Sequence, residues 1–479
     1  MDKKEMFRYL DTCAQELYCV SDAVWEAAET AFDETVSAQA LCKALEKAGF
    51  RVQRGVAGIE TAFTGTFGSG RPVIGILGEF DALSGLSQKA GVCRKEALVP
   101  GANGHGCGHN MLGAASLGAA MAVKKYLEET GAPGTVVYFG TPGEEGGSGK
   151  AFMAREGVFD GLDAALTWHP NDYHAVWTGS SLANYQVRYV FRGVSAHAAG
   201  DPHHGRSALD AVELMNIGVQ FLREHIVQEA RVHYAITNTG GFSPNVVQAY
   251  AEVLYLIRAP KTPQVEEIYQ RVNKIAQGAA LMTETEVEID FVKACSNVVP
   301  NTVLERTLEQ NMHLADRPRY TEEEMAFIRG IAQTCARDVE GMRAKLRRTG
   351  ADEKLCAEIE AQLEQPMYDF IMPYAPLDTV SAGSTDVGDV SWVCPTAQVY
   401  TATWAAGTPG HSWQIVSQGK SAQAHKGLLY AAKIMAGAAV DLLCDPELVR
   451  AAKDEHARRM GGAKYVCPIP AGVKPRKMH

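Results

Sequence analysis

The sequence predicts an α/β fold interrupted by an inserted α+β unit, and three observations carry that reading. Residues 72–78, 134–140 and 164–168 are short, nearly unbroken apolar runs, the pattern of strands buried on both faces. Each is followed at once by side chains able to carry chemistry: Glu79 and Asp81, then Glu144 and Glu145, then His169. Open α/β sheets hold their sites at the carboxyl ends of such strands. Scattered acids and histidines would not fall there three times running. Between 183 and 295 the texture changes to period-two alternation in the order β-α-β-β-α-β, that of a ferredoxin-like sandwich. Helix-and-strand texture then returns. The expected division is 1–182 for the first part of the larger domain, 183–295 for the insert and 296–479 for the second part.

Taken in order, residues 3–49 read as two helices, with Ser21-Asp22 and Ser37 where N-caps would sit and Gly49 closing the second. Residues 60–67 look like an edge strand that turns at Gly68-Ser69-Gly70. The strand at 72–78 follows, and 110–129 is a helix of small residues suited to close packing. Beyond the strands at 134–140 and 164–168, the insert offers strands at 185–192, 232–239, 246–258 and 286–292, with helices near 205–225 and 263–281. The highly charged stretch 322–365 reads as a solvated helical excursion rather than a site. Two polar loops then carry Asp386 and His411, and 421–443 is an alanine-rich helix of the kind that flanks a sheet.

Composition narrows the class. A chain of 479 residues, 46% hydrophobic and 21% charged, fits a globular enzyme of two or three domains. The net charge of −10 gives no sign of a phosphate-binding surface, so nucleic acid is not an expected partner. The N-terminus lacks the apolar core of a signal peptide, and no run approaches the roughly 20 apolar residues that span a bilayer. Eleven cysteines without a CxxC pair point to free thiols in a reducing compartment, hence a cytoplasmic protein.

The densest chemistry lies at 103–110, Asn-Gly-His-Gly-Cys-Gly-His-Asn. There His105, Cys107 and His109 alternate with glycines and share one side of an extended or tightly turned segment. Alone, the stretch also reads as a buried cysteine beside two hydrogen-bonded histidines. Collected with the strand ends and loops, the candidate ligands are Cys107, His109, Glu145, His169 and His411, with Asp81 and Glu144 nearby. Five exceed the three that a single catalytic zinc takes, and suit two metals about 3.5 Å apart. Thiolate and imidazole favour zinc, while the carboxylate also allows manganese or cobalt. Hydrolysis by a metal-activated water needs a base for its proton. Neighbours on an extended strand end face opposite sides, so one of Glu144 and Glu145 can bind metal while the other faces the water. A solvated turn is the alternative for that pair.

The Gly-His-Gly-Cys-Gly-His stretch, the Glu-Glu-Gly-Gly turn, Trp168-His169-Pro170, Gly193-Val-Ser-Ala-His197-Ala and the loops holding Asp386 and His411 together resemble the M20 metallopeptidases. Within them the chain is similar to the amidohydrolase branch, where a Cys-Gly-His motif replaces an aspartate-centred one, and the likeness runs in order along nearly the whole chain. The resemblance implies a mixed-sheet, zinc-peptidase-like catalytic domain formed by the two outer segments, with the insert as lid and dimerisation domain. It implies that Cys107, His109, Glu145, His169 and His411 hold two divalent ions, Mn(2+) or Zn(2+), and that Glu144 is the general base. The reaction implied is hydrolysis of the amide bond of an N-acyl amino acid, with p-aminobenzoyl-glutamate as first substrate. A broader deacylase, a small-peptide carboxypeptidase or a non-catalytic partner of a hydrolase are the alternatives. The implied assembly is a homodimer, or a heterodimer with a related A-type chain.

Asp81 would orient a ligand. His197 would reach the partner's site and stabilise an oxyanion, against a purely structural role. Asn245 and Arg258 would bind a substrate carboxylate, with a structural role again the alternative. Asn110 stands where the branch usually has aspartate, and is expected to orient a ligand.

Overall fold

The computed structural model describes residues 1–477. In chain order its strands are β1 (Arg51–Arg54), β2 (Phe63–Ser69), β3 (Val73–Glu79), β4 (Gly134–Thr141), β5 (Ala164–Asn171), β6 (Ala175–Val176), β7 (Ser180–Ser181), β8 (Ala183–Arg192), β9 (Arg231–Asn238), β10 (Tyr250–Ala259), β11 (Glu286–Cys295), β12 (Val380–Ser381) and β13 (Thr396–Ala402). The three apolar runs become β3, β4 and β5, buried along nearly their whole length. They pair in parallel at the heart of a mixed seven-stranded sheet of order β1-β2-β4-β3-β5-β13-β6. Parallel pairing sends their carboxyl ends to one edge, and β13 extends this set beside β5. The expected edge strand, β2, is not at the edge. The short polar β1 pairs outside it, and one polar strand of four residues leaves little apolar surface on the rim.

One face of the sheet is covered by the helices His109–Thr130 and Ala422–Cys444, on which Lys3–Ala27 packs, and the three share its largest apolar cluster. His109–Thr130 sits hard against the sheet because its middle is built of small residues. A Cβ at Gly113 would lie 2.9 Å from the Glu79 carbonyl oxygen, so only glycine lets the helix settle on the end of β3. That contact brings His109, the first helical residue, over the strand ends. Contrary to the sequence expectation, Ala422–Cys444 is long and apolar enough to cross a membrane, but 83% of its apolar window is buried in this cluster.

The expected N-caps also differ. The first helix starts at an Asp2 capping box and runs straight through Ser21. The second starts after Glu34, and its free N–H groups at Val36 and Ser37 are met by the Glu29 carboxylate at 2.9 Å each.

Strands β8 to β11 form a separate antiparallel sheet of order β11-β8-β10-β9, with helices Ala208–Leu222 and Thr262–Thr283 packed on it. The expected strand at 246–258 begins only at Tyr250. The charged stretch 322–365 folds as three short helices, Glu322–Ala332, Val339–Arg348 and Glu353–Glu360, capped by Thr321, Asp338 and Asp352. It is less solvated than its composition suggests, since Leu346, Ile359 and Leu363 are buried against Tyr173 and Phe370.

Where the chain leaves β11, Ser296 is clamped to the helix Val387–Val393. Its N–H and hydroxyl donate to Asp389 at 3.0 and 2.8 Å. A Cβ at Gly388 would lie 2.0 Å from the Ser296 carbonyl oxygen. Gly388→Ala should therefore destabilise the protein by about 1–3 kcal/mol, the cost of overpacking, read as a lower midpoint of urea unfolding.

Candidate metal centre

The sheet edge gathers the predicted residues through three tight turns. Gly108, at φ 76°, turns the chain into the helix that begins with His109, leaving Cys107 beside it. His105 does not join them. Because the segment is tightly turned rather than extended, its Nε2 lies 2.9 Å from the Val24 carbonyl oxygen, buried against the first helix. Glu144 and Glu145 are not an extended strand end either. They open a short helix, Glu144–Gly147, behind Gly143 at φ 67°. The Gly143 N–H donates to Glu34 at 2.9 Å and the Glu145 N–H to Asp81 Oδ2 at 2.9 Å, which pins the turn at both points. His411 comes from the second polar loop with φ 52°, a left-handed angle unusual for a residue other than glycine and of a kind that clusters at functional sites.

Five side chains converge. Cys107 Sγ is 3.3 Å from His169 Nε2, and Glu145 Oε1 is 3.2 Å from His411 Nε2. His169 Nδ1 lies 2.8 Å from the Pro170 carbonyl oxygen, which turns its Nε2 toward the thiol. His109 Nδ1 is 2.9 Å from Asp81 Oδ1. The potential ligand atoms of Cys107, His109 and His169 lie within 4.8 Å of one another, as do those of Cys107, Glu145 and His411. Cys107 is common to both triads. The chemistry suits divalent metal: one thiol, three imidazoles and a carboxylate. His109 Nε2, 3.3 Å from Glu79 Oε2, and Glu145 Oε1, 3.2 Å from His411 Nε2, are buried with only these ion-pair contacts, although buried polar atoms are ordinarily well satisfied. Cations there would satisfy both.

The surroundings split the adjacent carboxyls. Burial drives Glu144 well above the ordinary carboxyl range, and Glu79 and Glu145 add to it. Burial acts the same way on Glu145, but the hydrogen bond from His411 and the charge of His109 outweigh it, down to about 2. Burial, helped by His109, lowers His169 to about 4, and burial pushes the Cys107 thiol up.

Lys150 escapes the sequence reading. It is fully buried, its Nζ 2.6 Å from both Glu79 and Asp386, while its N–H donates to Asp386 at 2.8 Å. Burial disfavours its charge, but Asp386 and Glu79 outweigh this and hold it protonated. The one signal is a single lysine in the apolar helix Gly149–Arg155, directly after the glutamate turn. Asn110 is a correction. Its Nδ2 donates to Ser21 at 3.0 Å and to the Gly419 carbonyl at 3.1 Å, so it fastens two distant segments and orients no ligand.

Glu144, Glu145, Cys107, His169 and His411 line a cavity of about 530 Å³, which Arg258 also enters from β10. Arg258 donates to the Ala382 carbonyl at 3.3 Å and Ser384 at 3.4 Å, while its buried Nε has no partner. His197 and Asn245 lie outside this cavity. His197 is on an exposed loop bridged to Val246, and Asn245 accepts the Ala198 N–H through its backbone.

The profile of the peptidase family M20/M25/M40 matches residues 78–473. The chain belongs to this family. It is a hydrolase. It is 50% identical to the B-type chain of the p-aminobenzoyl-glutamate hydrolase of Escherichia coli K12, across 98% of this chain and 99% of that one. Its fold is shared by the aminobenzoyl-glutamate utilization protein of Klebsiella pneumoniae, with TM-score 0.60 and 17% identity over 91% of this chain and 97% of that one. It is also shared by a Bacillus subtilis protein described as a dinuclear metal-binding peptidase of the M20 family, with TM-score 0.53 and 16% identity over 92% and 99%.

The Lys150 network gives a test of what holds this M20 centre together. Removing one partner of a buried charge group strands the others. Lys150→Met should lower stability by about 3–5 kcal/mol in urea unfolding, and neutralising Glu79 and Asp386 in the same chain should recover part of the loss.

Proposed function

We propose that this hydrolase cleaves the amide bond of an N-acyl amino acid, p-aminobenzoyl-glutamate to p-aminobenzoate and glutamate. The observation that carries the reading is two potential ligand triads that share Cys107, at a cavity that Cys107, Glu145, His169 and His411 line together with Glu144. Half-identity along the full length to a hydrolase of that name supports the substrate.

In this reading Cys107, His109, Glu145, His169 and His411 hold two divalent ions, manganese or zinc, and Asp81 fixes the orientation of His109. When bound, such ions supply Lewis acidity at the carbonyl and lower the pKa of a bound water toward neutrality. Glu144 takes the proton of the attacking water and returns it to the leaving amine. Arg258 pairs with a substrate carboxylate, with Asn245 as a second contact.

The domains are then a catalytic body of 1–182 and 296–479 and a ferredoxin-like lid of 183–295, a reading supported by the strand order β11-β8-β10-β9. The lid serves a dimer, of two such chains or of this chain with a related A-type chain, in the cytoplasm. His197 acts across the interface. Its Nδ1 accepts the N–H groups of Ala199 and Gly200 at 3.2 and 2.9 Å, which leaves the proton on Nε2, free to donate outward to an oxyanion.

Elemental analysis of anaerobically purified protein should find close to two divalent ions per chain. Glu144→Gln should keep them while losing a factor on the order of 10² in kcat, whereas Glu145→Gln should lose metal. A Glu144→Gln protein with near-normal turnover would overturn the assignment of the base. Mixing inactive Glu144→Gln chains with inactive His197→Ala chains, after dissociation and reassembly, should restore activity in hybrid dimers, each with one complete site. Demonstrated subunit exchange without recovery would place His197 outside the reaction.

A further inference from the structure

Beside the ligand cavity lies a second chamber of about 300 Å³. The two share Trp177, Ser381 and Tyr400 in their walls. Tyr400 links them, its ring centroid 6.3 Å from that of His169 and 6.4 Å from that of Tyr173. Trp177 stacks on Tyr400 at 6.2 Å with an interplanar angle of 24°, so the passage presents aromatic walls. The chamber is also lined by Lys345 and Arg348 of the helix Val339–Arg348, in the charged stretch that supplies nothing to the ligand cluster.

Three other cations on that stretch are matched by acids, Arg337 by Glu364, Arg343 by Glu340 and Lys354 by Glu358, and Arg347, which has no acid at ion-pair distance among the described residues, does not line the chamber. Among the described residues Lys345 and Arg348 have no carboxylate within ion-pair distance. Lys345 Nζ instead donates to the Tyr173 hydroxyl at 2.7 Å and sits 4.8 Å from its ring centroid, which fixes the ammonium in the chamber wall. Aromatic walls with a few converging polar groups are the usual make-up of a small-ligand site. Two unmatched cations at its end call for an anion.

We propose that this chamber is a distal-anion subsite, a reading that rests on the hydrolase function above. The scissile amide lies at the ligand cluster, and the arm of the substrate that bears a carboxylate runs past Trp177 and Tyr400 to Lys345 and Arg348. Arginine and lysine pair with a carboxylate through charge-assisted hydrogen bonds, and the aromatic walls pack against the planar or aliphatic segment that carries it. The carboxylate can belong to the amino-acid side chain or to the acyl group, and the chemistry at Lys345 and Arg348 is the same for both.

Two matched pairs separate those sources: p-aminobenzoyl-glutamate against p-aminobenzoyl-glutamine, and p-carboxybenzoyl-alanine against benzoyl-alanine. Binding is measured by calorimetry on metal-loaded protein carrying Glu144→Gln to suppress turnover, and KM and kcat on the otherwise unaltered enzyme. Arg348→Gln, an exposed and unpaired position that folding does not need, and Lys345→Gln should each weaken binding and raise KM by about tenfold for the acidic member of one pair. The neutral member and kcat should move by less than about twofold. Equal loss on acidic and neutral members, no loss at all, or a parent protein that binds no acidic member would each overturn the subsite. A protein that binds the acidic ligands through Lys345 and Arg348 but hydrolyses no member would keep the subsite and sink the hydrolase substrate reading instead.

Discussion

The carboxylate of Asp81 is the interaction on which the site depends. One oxygen lies against His109 Nδ1 and the other accepts the Glu145 N–H, so a single buried side chain ties the start of a helix to the turn after β4. It can do so because β3 and β4 are parallel neighbours, which places the residue just past one strand beside the turn that ends the other. Gly113 completes the arrangement by letting the helix rest on the Glu79 carbonyl, at a distance that fixes how far His109 projects over the edge. Strand order, a close backbone approach and one carboxylate thus position residues that are far apart in sequence.

The same edge concentrates negative charge. Glu79, Asp81, Glu144, Glu145 and Asp386 lie in or beside one cavity, and Lys150 and Lys293 are the lysines buried among them. Buried carboxylates are tolerated when paired or when they bind cations. Lys150 answers Glu79 and Asp386, Lys293 donates to the Glu145 carbonyl oxygen at 2.8 Å, and Glu145 Oε1 lies 3.2 Å from His411 Nε2. Asp81 and Glu145 lie beside His109 and His411, where with Cys107 and His169 the potential ligands cluster.

Much of this is legible in the sequence because burial on both faces leaves a mark. β3, β4 and β5 stand out as apolar runs, and the residues just past them supply the cluster. The four-stranded sheet is legible from its alternation, and it begins at Ala183 and ends at Cys295. What stays hidden depends on long-range partners. Nothing local says that β1 would cover β2, that Glu29 would cap the second helix, or that Asn110 would reach Gly419. His105 shows the limit most clearly. Its spacing matches that of Cys107 and His109, yet the backbone between them twists enough to aim it at Val24. Lys150 is hidden because a lone lysine in an apolar helix usually reads as a solvated end, and only the fold brings Glu79 and Asp386 to it.

The adjacent glutamates show why local conformation matters beyond residue type. On an extended strand end, neighbours face opposite sides of the sheet, and only one of Glu144 and Glu145 could enter a given cavity. Here the left-handed Gly143 converts the strand end into a helical turn, in which successive side chains diverge by about 100° instead. Both carboxyls then line the same cavity while meeting different surroundings. Glu145 faces His411 and is held ionised, whereas desolvation, with Glu79 near, raises the proton affinity of Glu144. Two identical residues side by side acquire opposite proton preferences from one glycine angle and the groups around it. A division of labour between ligand and base needs that difference, and the sequence alone could name the pair but not the turn that separates them.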